Sequence, residues 1–173
     1  MSAARGFSVA VRFERIMLPE GLIEYARKAE QAGFDEFWVV EDLTFNGGLS
    51  AAATVLAVTQ TMRVGIGIMP AVARNPAYLA MDIATLARIH PGRLLPGLGH
   101  GVAGWMKQIG AFPASQLAAL EETSIVIRRL LRGEDVTLQG KYVHIDSVKL
   151  FLPPREVPPI SLGVRATKSL AVA

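Results

Sequence analysis

The chain has 173 residues, of which 51% are hydrophobic and 19% are charged, and its formal net charge is +3. This composition excludes a disordered chain, which needs low hydrophobicity and high charge. The small basic excess is spread along the chain, which argues against a nucleic-acid binder that works through bulk charge. The sequence has no cysteine. Disulfides and cysteine-bound zinc are therefore impossible, and a reducing compartment such as the cytoplasm fits.

Two segments need to be tested as targeting or membrane signals. Met1–Gly6 carries one arginine and no apolar core, unlike a signal peptide. Leu43–Met62 is uncharged and long enough to span a membrane, but glycines and polar side chains interrupt it. We therefore expect a cytoplasmic protein with neither a membrane nor a nucleic-acid partner.

Strand and helix patterns alternate from the start of the chain. Phe7–Phe13 predicts a first strand, and the helix after it opens at Pro19 and ends at Gly33. Proline suits a first helical turn and glycine a left-handed helix end. Glu36–Val40 predicts a short buried strand, and Leu49–Thr61 predicts an alanine-rich helix. Strands that are apolar on both faces are typical of a parallel sheet covered by helices.

The same alternation continues through the middle of the chain. Arg63–Met69 and Arg93–Leu98 predict the third and fourth strands. Between them, Asn75 caps a helix that His90-Pro91-Gly92 stops. A glycine-rich turn over Gly97–Gly104 follows the fourth strand.

The last third of the chain adds a different element. Ser115 caps a long helix that Gly133 ends, and Val136–Ile145 predicts a β-hairpin. Ile160–Gly163 predicts a fifth strand, and Lys168–Ala173 begins a helix.

Strands that each precede a helix build either a (β/α) barrel or a doubly wound sheet. A closed eight-stranded barrel takes about 250 residues, whereas this chain supplies five barrel-type strands. In a barrel, two strand edges and the adjoining apolar faces would stay open and favour self-association. The high mean hydropathy of +0.34 fits that interpretation. The alternative is a complete doubly wound domain of five strands.

Several short segments together have an order and spacing that are specific for a protein family, although no single segment is. They are Pro19–Glu30, Gly33–Asp35, Gly65–Pro70, Arg74–Ala77, His90–Arg93 and Gly97–Gly101. In this arrangement essentially the whole chain resembles the bacterial luciferase-like monooxygenases. The Gly-His-Gly turn at 99–101, with the Trp105–Gly110 segment after it, is most similar to the branch that uses the deazaflavin coenzyme F-420 (F420).

The resemblance implies a TIM-type (β/α) barrel of roughly twice this length. Residues 1–173 would be its N-terminal part, with only five or so strands present and an inserted β-hairpin at about 135–146. The implied function is an oxidoreductase that passes hydride between F420 and a small organic substrate. The open strand edges of such a part predict a homodimer or larger assembly. An FMN-dependent monooxygenase of the same family is one alternative. A non-catalytic barrel fragment that self-associates is the other.

Active sites of such barrels lie at the C-terminal ends of the strands. At the second strand end, we predict Asp42 as a catalytic residue and coenzyme contact; a loop acid that caps the next helix is the alternative. Leu43 stands where the family often has histidine, so a proton relay through that position does not carry over. At the third, the resemblance implies coenzyme contacts from Gly67, Ile68 and Met69, with a non-prolyl cis peptide at Gly67–Ile68 that backs the ring. A plain buried strand is the alternative there.

The fourth strand end carries the other predicted site residues. Gly99 and Gly101 let the backbone approach a coenzyme closely. His100 is predicted to be catalytic, as a hydrogen-bond donor to the coenzyme or as a group that moves a proton near neutral pH; a polar turn residue is the alternative. Trp105 is predicted to stack on the ring or to wall it. The histidines show no metal-ligand spacing, so no metal is expected.

Overall fold

Strands and helices alternate along the chain in the computed structural model, which describes residues 7–164 and 167–173. The prediction that Met1–Gly6 is not a signal peptide concerns a segment outside the described residues. A short 3-10 turn, Pro19–Gly21, precedes the first helix. The elements are β1 (Ala10–Phe13), α1 (Leu22–Gln31), β2 (Glu36–Val39), α2 (Gly48–Val58), β3 (Arg63–Pro70), α3 (Pro76–Ile89), β4 (Leu94–Gly99), α4 (Ala103–Gln108), α5 (Gln116–Leu131), β5 (Val136–Gln139), β6 (His144–Val148), β7 (Ser161–Gly163) and α6 (Thr167–Val172).

The main sheet has five strands in the order β1-β2-β3-β4-β7, and every neighbouring pair is parallel. This confirms the predicted α/β class with five parallel strands. The strand order never reverses, whereas a doubly wound sheet reverses at its switch point. This order is the one that consecutive strands have in a (β/α) barrel. β5 and β6 form a separate antiparallel hairpin, as predicted, which extends to Val148.

The core lies between the sheet and the helices that cover it. Alternate residues of β2 and β3 point into this layer, and Phe37, Val39, Val64 and Ile66 are all at most 1% exposed. Helices α2, α3 and α5 contribute fully buried partners, namely Leu56, Leu79, Ile83, Leu120, Ile127 and Leu130. Each such side chain contributes roughly 1.5–3 kcal/mol when it leaves water. Among the described residues, no helix combines the length and apolar character needed to cross a membrane.

Some boundaries differ from the sequence expectation. β1 begins at Ala10 rather than at Phe7, because only Ala10–Phe13 pairs with β2 and Phe7 is 70% exposed. A helix of six residues inside the glycine-rich turn, α4, was also not predicted from the sequence. Gly101 before it has a positive φ of 71° and Gly104 lies within it, so its composition is that of a loop.

Glu30 of α1 fixes the connection between α2 and β3. Its carboxylate accepts hydrogen bonds from the backbone N–H groups of Gln60 (2.9 Å), Thr61 (2.8 Å) and Met62 (3.0 Å). These bonds hold the chain in a bend at Gln60 and Thr61, so α2 ends at Val58 and not at Thr61 as predicted. Burial alone would raise the pKa of Glu30, but the hydrogen bonds from these backbone groups outweigh burial and lower it.

We expect Glu30 to make the stability of the chain depend on pH in the acid range. Since its native pKa is lowered, its contribution is fully present above the ordinary carboxyl pKa and is lost as pH falls through the native value. Glu30→Gln should lower the free energy of unfolding at neutral pH by about 1–3 kcal/mol, because it weakens charge-assisted hydrogen bonds. Urea unfolding at neutral and acid pH measures this. If the difference in unfolding free energy between Glu30→Gln and the unsubstituted chain stays constant with pH, this expectation is wrong.

Arg93 explains one of the segments that carry the family resemblance. Its guanidinium donates hydrogen bonds to the carbonyl oxygens of Met62 (3.0 Å), Thr59 (3.0 Å) and Leu56 (3.3 Å). The last carbonyls of a helix have no partner within the helix. Arg93 therefore completes the C-terminal end of α2 and fastens it to the start of β4.

Candidate functional site

A cavity of about 730 Å³ opens where the parallel strands end. Its volume lies within the roughly 300–1,000 Å³ of small-molecule sites. The loop after β2, the end of β3 and the turn after β4 with α4 line this cavity. The lining residues are Glu41, Asp42, Leu43, Thr44, Phe45, Asn46, Gly47, Gly67, Ile68, Pro70, Ala73, Arg74, His100, Gly101, Val102, Trp105, Met106, Ile109 and Gly163.

Most of the predicted site residues lie together on this wall. They are Asp42, Gly67, Ile68, His100, Gly101 and Trp105. Two others do not line the cavity. The side chain of Met69 is fully buried in the core, because alternate residues of a strand point to opposite faces. Gly99 is buried beneath the side chain of Ile68.

The backbone bulges at the end of β3. Ile66 pairs with Pro96 but Met69 pairs with Leu98, so two residues of β3 lie opposite Gly97 alone. A bulge of this kind turns the extra residues out of the regular sheet. The Gly67–Ile68 peptide bond within it is cis, which confirms the geometry that the family resemblance implies. Its role in backing a ring stays a prediction.

The side chain of Ile68 rests on glycines of the adjoining strands, which we call the glycine cradle: Gly97 and Gly99 of β4 and Gly163 of β7. A Cβ atom added at these positions would lie 3.3 Å, 2.9 Å and 2.9 Å from atoms of Ile68. Side chains at Gly99 and Gly163 would therefore displace Ile68, whereas one at Gly97 would first meet the backbone oxygen of Ile66, at 2.4 Å. The glycine cradle lets Ile68 lie close to the sheet and form part of the cavity wall.

Glu41, which the sequence analysis did not select, is the most firmly held acid at the site. Its carboxylate forms two hydrogen bonds with the guanidinium of Arg74, of which the Oε2–Nη2 bond measures 3.0 Å. Oε2 also accepts the backbone N–H of Gly48 at 3.0 Å, at the start of α2. Only 11% of the Glu41 side chain is exposed. No local pattern marked Glu41, because its partner Arg74 lies 33 residues further along the chain.

Asp42 has more freedom than Glu41. Within the part of the chain that the structure describes, its carboxylate makes only a long contact with Arg15, at 3.4 Å between Oδ2 and Nη1. Its carbonyl oxygen accepts the N–H of Phe45 at 3.1 Å and closes a tight turn in which Thr44 has a positive φ of 74°. The helix-capping role considered for Asp42 belongs to Glu41, which bonds the first turn of α2. Asp42 thus keeps acceptor oxygens for a ligand in the cavity.

His100 is half-buried and lines the cavity in the turn after β4. Its Nδ1 is 3.2 Å from the carbonyl oxygen of Gln116, at the start of α5. The rest of the wall is mostly apolar, with contributions from Leu43, Phe45, Ile68, Trp105, Met106 and Ile109. An apolar wall with a few polar atoms suits a flat ring that carries polar groups on its edge.

The residues matched by the luciferase-like monooxygenase family model are 10–173, which include every strand of the sheet and the whole cavity wall. The chain belongs to the luciferase-like monooxygenase family. This confirms the resemblance found in the sequence.

Two curated relatives illustrate which family members the chain is similar to. A 5,10-methylenetetrahydromethanopterin reductase from Methanolobus tindarius is 32% identical over 153 residues, which is 88% of this chain and 46% of the relative. An F420-dependent glucose-6-phosphate dehydrogenase from Nakamurella multipartita is 29% identical over 167 residues, which is 90% of this chain and 49% of the relative. The chain thus spans about half the length of the curated relatives it matches.

Solved structures of luciferase-like proteins share the fold. The coenzyme F420 dependent tetrahydromethanopterin reductase from Methanopyrus kandleri superposes with a TM-score of 0.84 at 22% identity, over 96% of this chain and 52% of that one. The FMN-bound oxygenating constituent of 3,6-diketocamphane monooxygenase from Pseudomonas putida reaches 0.79 at 16% identity, over 90% and 50%. The fold is therefore common to proteins that bind either coenzyme.

Proposed function

We propose that this chain is the coenzyme-binding part of an oxidoreductase that passes hydride between F420 and a small organic substrate. The observation that carries the proposal is the cavity at the strand ends, whose wall brings Asp42, the Gly67–Ile68 bulge and His100 together. The relatives that are F420-dependent by name support this choice of coenzyme. We also propose that the protein works in the cytoplasm, which its lack of cysteine supports.

The residues of the wall fit a deazaflavin ring. The exposed backbone of Gly67 and the side chain of Ile68 offer a surface for the face of a ring, and Trp105 and Phe45 add aromatic surface to the cavity wall. Asp42 and His100 offer polar atoms to the edge of a ring or to a substrate beside it. When bound, F420 supplies the hydride chemistry, whereas the protein orients the substrate and keeps water out.

A second candidate is an FMN-dependent monooxygenase, which the match to an FMN-bound structure favours. Fluorescence titrations of the chain with F420 and with FMN separate the two. Micromolar affinity for F420 with weaker FMN binding supports the proposal and excludes the non-catalytic fragment. Tighter binding of FMN would overturn the choice of coenzyme, and binding of neither would favour the non-catalytic interpretation.

A pair of histidine variants links coenzyme binding to this cavity. We expect His100→Gln to weaken F420 binding by about tenfold, which corresponds to about 1.4 kcal/mol, because His100 lines the cavity. His90→Gln is the matched control, since His90 follows the last residue of α3 and does not line the cavity. Equal losses in the two variants would place F420 elsewhere on the chain.

We further propose that the chain self-associates through the edges of its sheet. Among residues 7–164 and 167–173, β1 and β7 are the edge strands of the sheet, and each has a neighbouring strand on one side only. Unpaired strand edges and exposed apolar side chains favour association, and Ile16 (77% exposed), Leu18 (75%) and Leu152 (66%) lie outside the core. Sedimentation velocity over a range of concentrations should show dimers or larger species. A monomer at every concentration would contradict this.

A further inference from the structure

The β5–β6 hairpin is tied to α5 at two points. The backbone N–H of Ser115, which caps α5, donates to the Tyr142 hydroxyl at 2.7 Å. The Glu122 carboxylate accepts from the backbone N–H groups of Lys141 (3.0 Å), Tyr142 (2.8 Å) and Val143 (2.9 Å) at the hairpin tip. Glu122 therefore fixes the backbone of Tyr142, and the Tyr142 hydroxyl in turn holds the first turn of α5.

That first turn contacts the candidate site. The carbonyl oxygen of Gln116 lies 3.2 Å from His100 Nδ1. A carbonyl oxygen can only accept a hydrogen bond, so Nδ1 must carry the hydrogen. In the neutral ring the free lone pair is then on Nε2. Nε2 is consequently the atom with which His100 can accept a hydrogen bond or a proton.

We propose that Tyr142 is a positioning residue for His100. Its hydroxyl holds the first turn of α5 so that the Gln116 carbonyl keeps His100 in the Nδ1–H form, with Nε2 as an acceptor. Toward a ligand in the cavity, neutral His100 then pairs with groups that carry a hydroxyl or N–H. The pairing of His100 with a ligand rests on the proposed function, whereas the Nδ1–H form of its ring does not.

Removing the Tyr142 hydroxyl should act locally. Tyr142→Phe leaves the half-buried Ser115 N–H without its partner, so the first turn of α5 shifts and the Gln116 carbonyl loses its alignment with His100. The hairpin itself stays attached, because Glu122 bonds backbone groups that the substitution does not alter. The expected effect is a change at His100 without unfolding.

Nuclear magnetic resonance of the ¹⁵N-labelled chain tests the proposal. Two-bond proton–nitrogen correlations distinguish the two neutral ring forms, and the chain has three histidines, so His100→Gln assigns the signals. We expect one Nδ1–H pattern for His100 in the unsubstituted chain and loss of that single pattern in Tyr142→Phe. Tyr78→Phe removes a hydroxyl from a side chain that is 69% exposed on α3 and should change nothing at His100.

A second variant covers the case in which Tyr142→Phe does not yield folded protein. Glu122→Gln leaves one oxygen to accept three N–H groups, so the hairpin loosens and the same loss is expected at His100. An Nε2–H pattern in the unsubstituted chain would overturn the proposal, and so would a His100 pattern that neither variant changes. The measurement uses no coenzyme, so its failure is distinct from a failure of F420 binding.

Discussion

Replacing Gly99 by alanine is expected to push the side chain of Ile68 out of the glycine cradle and into the cavity. The new Cβ would lie 2.9 Å from Ile68 Cδ1 and 3.0 Å from Cγ1, closer than two carbon atoms pack. The 3.3 Å to the carbonyl oxygen of Gly163 needs only a small adjustment. Because Cδ1 is the free end of a flexible side chain, Ile68 turns away while the strands stay paired. Overpacking of this kind lowers the free energy of unfolding by about 1–3 kcal/mol.

Methyl spectra of the isoleucine-labelled chain give a direct measurement. The Ile68 δ1 methyl signal should move in Gly99→Ala, and any F420 affinity should fall by about tenfold or more, or about 1.4 kcal/mol. Gly21→Ala is the matched control, because a Cβ there meets no atom within 4 Å and its φ of −82° suits alanine. The double variant Gly99→Ala/Ile68→Val lacks Cδ1 and should regain part of the stability. An unmoved methyl signal in Gly99→Ala would show that the cradle does not position Ile68.

Most of the fold was predictable from local sequence patterns, because the residues that begin and end each element act through short-range contacts. Asn75 caps α3 by accepting the N–H of Ala77, Ser115 caps α5 by accepting that of Ala118, and Gly33 has the positive φ expected after α1. Each contact lies within a few residues in the sequence, so composition and spacing are enough to predict it. Parallel pairing then follows from helices that separate consecutive strands.

The candidate site was predictable in its location but not in its details. The ends of parallel strands meet at one edge, which brings Asp42 and His100 to the same cavity. The roles of neighbouring acids depended on partners far along the chain. Glu41, and not Asp42, pairs with Arg74 and bonds α2, although the two acids are adjacent in the sequence. The resemblance implied coenzyme contacts from three consecutive residues of β3, but after the bulge at Gly67–Ile68 the side chain of Met69 lies in the core.

Breaking the Glu41–Arg74 pair is expected to lower the free energy of unfolding more than Gly99→Ala does. Glu41→Ala leaves the guanidinium of Arg74 without its carboxylate at the cavity wall and removes the acceptor of the Gly48 N–H. Removing one partner of a buried pair costs about 3–5 kcal/mol. Because Arg74 is 32% exposed and water partly replaces the lost partner, we expect about 2–4 kcal/mol. Urea unfolding at neutral pH measures the change.

A double-mutant cycle separates loss of the pair from loss of packing. Arg74→Ala in the Glu41→Ala background removes the unpaired charge, so the double variant should be more stable than the sum of the single effects by about 1–3 kcal/mol. Glu24→Ala is the control for an exposed pair, since Glu24 and Lys28 lie on the surface of α1 with side chains about 70% exposed; it should show no measurable change. Additive single effects would mean that the pair does not tie the two loops together. The pair would then lie beside the cavity without shaping it, and coenzyme affinity should survive its removal.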